Sequence, residues 1–148
     1  MLNVRMLDKK FSAAGQLTPE DIAEAARRGF KAIINNRPDG EGGPEQPTSD
    51  ENRKAAEAAG MDYHYLPMTP QNLDSELLEA FRKAVEEGPG PVLAHCKSGA
   101  RSAALWALVE TAHNRRDIDE VLKQAAKEGY DLSGMRPVFE KFVAAHNA

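Results

Sequence analysis

Polar and apolar residues in the first hundred positions form a figure that recurs three times: a helical stretch, a glycine, then a short apolar run. Thr18 can cap the first helix, with Pro19 at its opening position and Asp21 in its first turn. That helix stops near Arg28, before Gly29, and the run 31–35 (KAIIN) follows as a strand. Thr48-x-x-Glu51 has the form of a capping box and opens a second helix, which ends at Gly60 before the strand 63–67 (YHYLP). A third helix over 73–87 ends at Gly88, and the strand 91–95 (PVLAH) comes next. Residues 11–16 add an early strand. Alternation of this kind predicts an α/β fold, a mostly parallel central sheet flanked by helices on both faces.

After residue 101 the pattern changes. Residues 102–113 (SAALWALVETAH) are apolar on most faces, which suits a central helix packed against the sheet. Asp117-x-x-Glu120 opens a helix to about Glu128, and a last helix covers 137–146. The stretch 39–50 contains Gly40, Gly42, Gly43, Pro44 and Pro47 and reads as an acidic mobile loop. With no long repeat and no linker, residues 1–148 read as a single domain, long enough to bury a core.

Charge narrows the functions open to the chain. The net charge of −4 comes from interleaved acids and bases, without the basic stripe that nucleic acid requires or a polybasic membrane anchor. The opening MLNVRMLDKK has no apolar run before its charges, so neither a signal peptide nor a membrane span is expected, and a cytoplasmic location is the default. The single cysteine allows no internal disulfide and no thiolate zinc site. The four histidines lack metal-ligand spacing, so no metal or other cofactor is expected.

That cysteine stands in the most informative segment, residues 92–102 (VLAHCKSGARS). A strand ends at His95. A tight loop then carries Cys96, Lys97, Ser98, Gly99, Ala100 and Arg101, and a helix is expected from Ser102. Backbone N–H groups of such a loop converge into an anion-binding nest, strengthened by the positive end of the following helix. Lys97, Ser98, Gly99, Ala100 and Arg101 are therefore the candidate anion-binding residues. The same field stabilises the thiolate of Cys96 as a nucleophile. Arg101 can grip two oxygens of a tetrahedral anion, a fork that lysine cannot copy. The hydroxyl of Ser102 or Ser98 can donate to the sulfur, and His95 can tune the thiolate through its ring hydrogen bonds. A lone cysteine at a strand end is usually only a small buried hydrophobe. It is the conjunction of Cys, Gly, Arg and Ser at one strand–helix junction that favours chemistry.

With those residues in view, the chain resembles the protein-tyrosine and dual-specificity phosphatases, whose signature is His-Cys, five residues, Arg, then Ser or Thr. Here only four residues separate Cys96 from Arg101. A Cys-to-Arg loop of that length is found in rhodanese sulfurtransferases, which the rest of the chain does not resemble. A closer resemblance is to the bacterial beta-lactamase hydrolase-like proteins, phosphatase-like domains found alone or fused to persulfide dioxygenases. The segments SAAGQLTPEDI, KAIINNRPDGE, GPVLAHCKSGARSAALWAL and GYDLSGMRP carry it across nearly the whole chain. The resemblance implies a dual-specificity-phosphatase-like fold, with Cys96 as nucleophile, Arg101 as oxyanion clamp and a functional link to a persulfide dioxygenase.

Phosphate and sulfur chemistry make different demands. Cleaving a phosphoester leaves an alkoxide or phenoxide that wants a proton, typically worth about 10²–10⁴-fold in rate. The loop expected to supply the acid reads Met68-Thr69-Pro70-Gln71-Asn72 and carries none. Asp74 falls in the first turn of the next helix, where capping is the simpler role. Asp39, after the strand 31–35, is a substitute acid, although Pro-Asp-Gly is also a turn signal. Sulfite leaving from thiosulfate needs no acid. The sequence therefore favours a sulfurtransferase that works through a Cys96 persulfide and hands sulfur to an external thiol such as glutathione. The alternative is a tyrosine or dual-specificity phosphatase with a Cys96 phosphocysteine; a third reading is a non-catalytic protein that binds anions or a partner. The substrate is in each catalytic case a small oxyanion: thiosulfate, a persulfide or a phosphate ester.

Overall fold

The computed structural model describes residues 2–147. Its five strands are β1 (Arg5–Met6), β2 (Phe11–Ala14), β3 (Ala32–Asn35), β4 (Asp62–Tyr65) and β5 (Val92–His95), in the spatial order β1-β2-β5-β3-β4. Only β1 runs antiparallel to its neighbour; the other pairings are parallel. Six α-helices join them: α1 (Pro19–Arg27), α2 (Ser49–Ala58), α3 (Ser75–Glu86), α4 (Ala100–Leu108), α5 (Ile118–Lys127) and α6 (Arg136–His146). A π-helical turn, Val109–His113, extends α4, and a 3₁₀ turn, Ser133–Met135, leads into α6.

Successive side chains of a strand point to opposite faces, so a sheet covered on both sides needs apolar residues at consecutive positions. On one face Ala14, Ile33 and Leu93 pack against Ile22 and Ala25 of α1 and Ala56 of α2. On the other, Phe11, Ala13, Ile34, Val92 and Ala94 meet Leu78 and Phe81 of α3, residues 103–108 of α4, Val121 of α5 and Phe139 of α6. Each fully buried Ile, Leu or Phe contributes about 1.5–3 kcal/mol through removal from water. Trp106 anchors this larger core: it stacks on Phe11 at 6.4 Å between ring centroids, and its indole N–H donates to Asp8 at 2.9 Å.

Thr18 accepts from the Asp21 N–H while the Asp21 carboxylate accepts from the Thr18 N–H, a reciprocal cap. For α2 the Thr48 hydroxyl accepts from the Glu51 N–H. Asp74, expected inside the first turn of its helix, is instead the N-cap of α3 and accepts from the Leu77 N–H at 2.9 Å.

Other boundaries shift for physical reasons. The strand expected over 63–67 is Asp62–Tyr65, because Pro67 has no N–H for a ladder. Pairing toward β3 nevertheless persists: the Leu66 N–H donates to the Asn35 carbonyl, and the Met68 N–H to that of Asn36. The early strand closes at Ala14, after which the Gln16 N–H turns to the Lys97 carbonyl. The helix expected from Ser102 starts at Ala100, which puts Arg101 in its first turn. The stretch read as a mobile loop is tied down, the Gln46 side chain accepting from the Gly42 N–H and donating to the Pro38 carbonyl.

Among the described residues no helix is long and apolar enough to cross a membrane.

Candidate active site

The register aligns Ala14, His95 and Asn35 across β2, β5 and β3. Cys96 therefore emerges at the carboxyl edge of the central strand, where parallel sheets bind ligands. It is flanked by the segment leaving β2, which reaches Lys97 through the Gln16 N–H, and by the one leaving β3, whose Asn36 N–H donates to the His95 carbonyl at 2.7 Å.

Inside the cysteine loop the backbone reverses at Gly99, with φ of +100°. A residue with a Cβ pays for that conformation, and glycine does not. The turn aims the Gly99 N–H at the Cys96 sulfur, 3.1 Å away. Cys96 is only 1% exposed, and the ring of Tyr130 closes over Gly99. Burial raises the phenol pKa of Tyr130, and the charge of Cys96 raises it further. Lys97 and Ser98 are exposed, as is Ala100, whose N–H donates to the Ser98 hydroxyl at 3.3 Å.

Ser102, expected to donate to the sulfur, donates instead to the Asn36 side-chain oxygen at 2.8 Å. Asn36 in turn donates to the Leu66 carbonyl, so the buried pair binds α4 to the segments after β3 and β4. Asp39 turns to another task. Its carboxylate accepts from the Ser49 N–H at the start of α2, while its own N–H donates to the Tyr65 hydroxyl. Among the described residues no hydrogen bond joins Asp39 to the cysteine loop.

His95 is fully buried, and neither ring nitrogen has a hydrogen-bond partner of good geometry. Burial lowers its pKa from 6.5 to about 4, the Arg37 charge adding to the effect and the Cys96 backbone opposing it. Above pH 6.5 the ring is neutral folded and unfolded, and the shift costs nothing. As the pH falls toward 4, the unfolded chain gains a proton that the folded chain refuses. Stability should fall across that window by up to about 3 kcal/mol. Urea unfolding of wild type and His95→Gln at pH 7 and pH 5 checks this; equal pH slopes for the two would remove His95 as the cause.

Arg101 carries the largest surprise. Its Nη1 donates to Glu41 Oε2 at 2.9 Å and to the Met68 carbonyl at 3.1 Å, and its Nη2 donates to Glu41 Oε1 at 2.6 Å. Arg37, nearly buried, reaches the same Oε1 with Nε at 3.0 Å and the Gln16 side-chain oxygen with Nη1 at 3.1 Å. Arg101 first and Arg37 second hold the Glu41 pKa down to about 2, against partial burial. Glu41 in turn is the main cause of the raised pKa of Arg101, with a further contribution from Cys96. The guanidinium thus interacts electrostatically with the carboxylate first and with Cys96 second. Neither Glu41 nor Arg37 was a candidate from sequence. Their spacing of four residues was a usable signal, but the third partner lies 60 positions on.

Among the described residues no cluster of His, Cys, Asp and Glu could hold a metal ion. A cavity of about 290 Å³ between α3, the π turn and α6 is lined by no residue of the cysteine loop.

A mostly parallel sheet with a cysteine–arginine loop between its central strand and central helix defines a phosphatase-like, cysteine-based domain. The family model described as the phosphatase-like domain of beta-lactamase hydrolase-like proteins matches residues 3–113, and the chain belongs to that family. A beta-lactamase hydrolase-like protein of Xylella fastidiosa is 37% identical over 126 residues, covering 85% of this chain and 29% of its own length. The chain thus spans under a third of that relative. A Neisseria meningitidis protein, solved as a candidate phosphatase, is 31% identical with a TM-score of 0.81, covering 93% of this chain and 96% of that one. TpbA of P. aeruginosa, crystallised with phosphotyrosine, shares the fold at a TM-score of 0.66 and 19% identity, covering 98% and 90%.

Proposed function

We propose that the chain is a cysteine-dependent phosphatase acting on phosphate monoesters, with aryl esters favoured. The observation that carries this reading is the site of Cys96 in an anion loop, its sulfur 3.1 Å from the Gly99 N–H and Arg101 in the first turn of the helix that follows. Family membership and the phosphatase-like fold support it. The sulfur lone pair attacks phosphorus, the P–O ester bond breaks, and the loop N–H groups with Arg101 stabilise the charge on the phosphoryl oxygens. Water then attacks the phosphocysteine, expelling the thiolate and releasing inorganic phosphate.

The loop 68–72 offers no acid, and Asp39 turns its Oδ1 to the Ser49 N–H at α2, so this reading assigns no side chain to the leaving oxygen. A phenol, with a pKa near 10, leaves without that help far more readily than an alcohol. Phosphotyrosine, the ligand crystallised with TpbA, has such a leaving group. The missing acid is also what favours sulfur transfer, which remains the competing outcome.

Purified protein should hydrolyse p-nitrophenyl phosphate faster than an alkyl phosphate, and Cys96→Ser should not. Acid quenching during turnover should trap a phosphate mass on wild type alone. No hydrolysis, together with a stable one-sulfur mass gain after thiosulfate that added thiol erases, would overturn this reading in favour of a persulfide enzyme.

A further inference from the structure

Resting on that reading, we infer that Glu41 is the positioning residue for Arg101: it takes the end of the guanidinium and leaves the side-on fork to the substrate oxyanion. A guanidinium has five N–H groups in a fixed plane. Glu41 takes one from Nη1 and one from Nη2, and the Met68 carbonyl takes the second from Nη1. Five less three leaves Nε–H and the outer Nη2–H. These two are parallel and form the other bidentate edge of arginine, the geometry that fits two oxygens of a phosphoryl group.

The clamp is itself anchored. Glu41 Oε1 also accepts from Arg37, Arg37 donates to Gln16, and the Gln16 N–H donates to the Lys97 carbonyl beside the nucleophile. The circuit therefore runs from Arg101, in the first turn of α4, back to Lys97 in the cysteine loop. Gly42 belongs to it by what it lacks, since a Cβ there would lie 2.6 Å from Arg37 Nη2. A freely rotating arginine would have to be ordered at each binding event, whereas one held from behind meets the transition state already oriented.

The opposite role is conceivable in the same geometry: Glu41 as an internal mimic of the substrate, to be displaced before anything binds. The two roles differ in sign. Glu41→Gln keeps the shape, but it turns an N–H toward the guanidinium and loses the second acceptor. If Glu41 positions Arg101, kcat for p-nitrophenyl phosphate should fall about 10²-fold, the size of loss that misplacement by an ångström brings. KM should change much less, inorganic phosphate should bind more weakly by calorimetry, and Glu41→Asp should recover part of kcat. Tighter phosphate binding in Glu41→Gln, or unchanged kcat with only a lower Tm, would overturn the inference. Phosphate binding is read without turnover. A wild type that hydrolyses no ester, yet loses phosphate affinity in Glu41→Gln, would sink the phosphatase reading and leave the role of Glu41 standing.

Discussion

Arg101→Lys should lower kcat/KM for an aryl phosphate by about 10²–10³-fold, the loss that removing one preorganised oxyanion donor brings. The ammonium of lysine is a point charge on a flexible stem, and it has no second parallel edge. It can meet Glu41 or the phosphoryl oxygens, whereas Arg101 has edges for both. The fold should survive the change. The substitution removes partly exposed hydrogen bonds, one of them to the Met68 carbonyl, and Glu41 keeps Arg37. A net loss of about 1 kcal/mol moves Tm by only about 2–4 °C in a chain this size. Steady-state kinetics and a thermal melt on the same preparation check both halves. A lysine variant with near-normal turnover would make Arg101 a structural residue and remove the electrostatic basis of the mechanism.

What the sequence disclosed here follows from how local each feature is. The helix caps at Thr18 and Thr48, the strand cores and the cysteine loop are local devices, written in residues within four or five positions of one another. β1 was invisible because Arg5 and Met6 are both exposed and too few to show a period. The π turn after Leu108 leaves the apolar pattern of 102–113 intact, so nothing in that pattern marks it. The opening of α4 was misplaced by two residues because Gly99, taken only as a loop glycine, is itself its N-cap.

The site was half legible for the same reason. Cys96 and Arg101 announce themselves through spacing. The pairing of Ser102 with Asn36, of Asp39 with Ser49 and of Glu41 with Arg101 depends on where β3 delivers its following segment. Ser102 reads as a donor to sulfur by its type, and Asp39 as a substitute acid by its place after a strand. Competition for hydrogen-bond partners gives them Asn36 and Ser49 in this structure, because a buried hydroxyl must find an acceptor and a helix N-terminus attracts a carboxylate. The same competition makes 39–50 an anchored segment, where its glycines and prolines had suggested freedom.

Gly99→Ala should both weaken the fold and abolish most activity, through two separable causes. The first is backbone conformation. At φ of +100° an L side chain is strained, and the left-handed region alone costs about 1–2 kcal/mol. The second is steric. A Cβ at position 99 would lie 2.3 Å from the Tyr130 hydroxyl oxygen, 3.0 Å from Cζ and 3.1 Å from Cε1, so the ring must move. Relaxing either strain turns the Gly99 N–H away from the sulfur and reshapes the nest that binds the oxyanion. The expected loss in kcat/KM is at least about 10²-fold, the scale of a lost oxyanion donor. Adding Tyr130→Phe separates the causes. It removes the nearest atom and should restore part of the stability in urea titrations, while the backbone strain and the lost activity remain. Full recovery of turnover in the double variant would show that the ring, and not the direction of the Gly99 N–H, governs the loop. A single Gly99→Ala variant as stable and active as wild type would refute the left-handed turn on which the whole anion site is built.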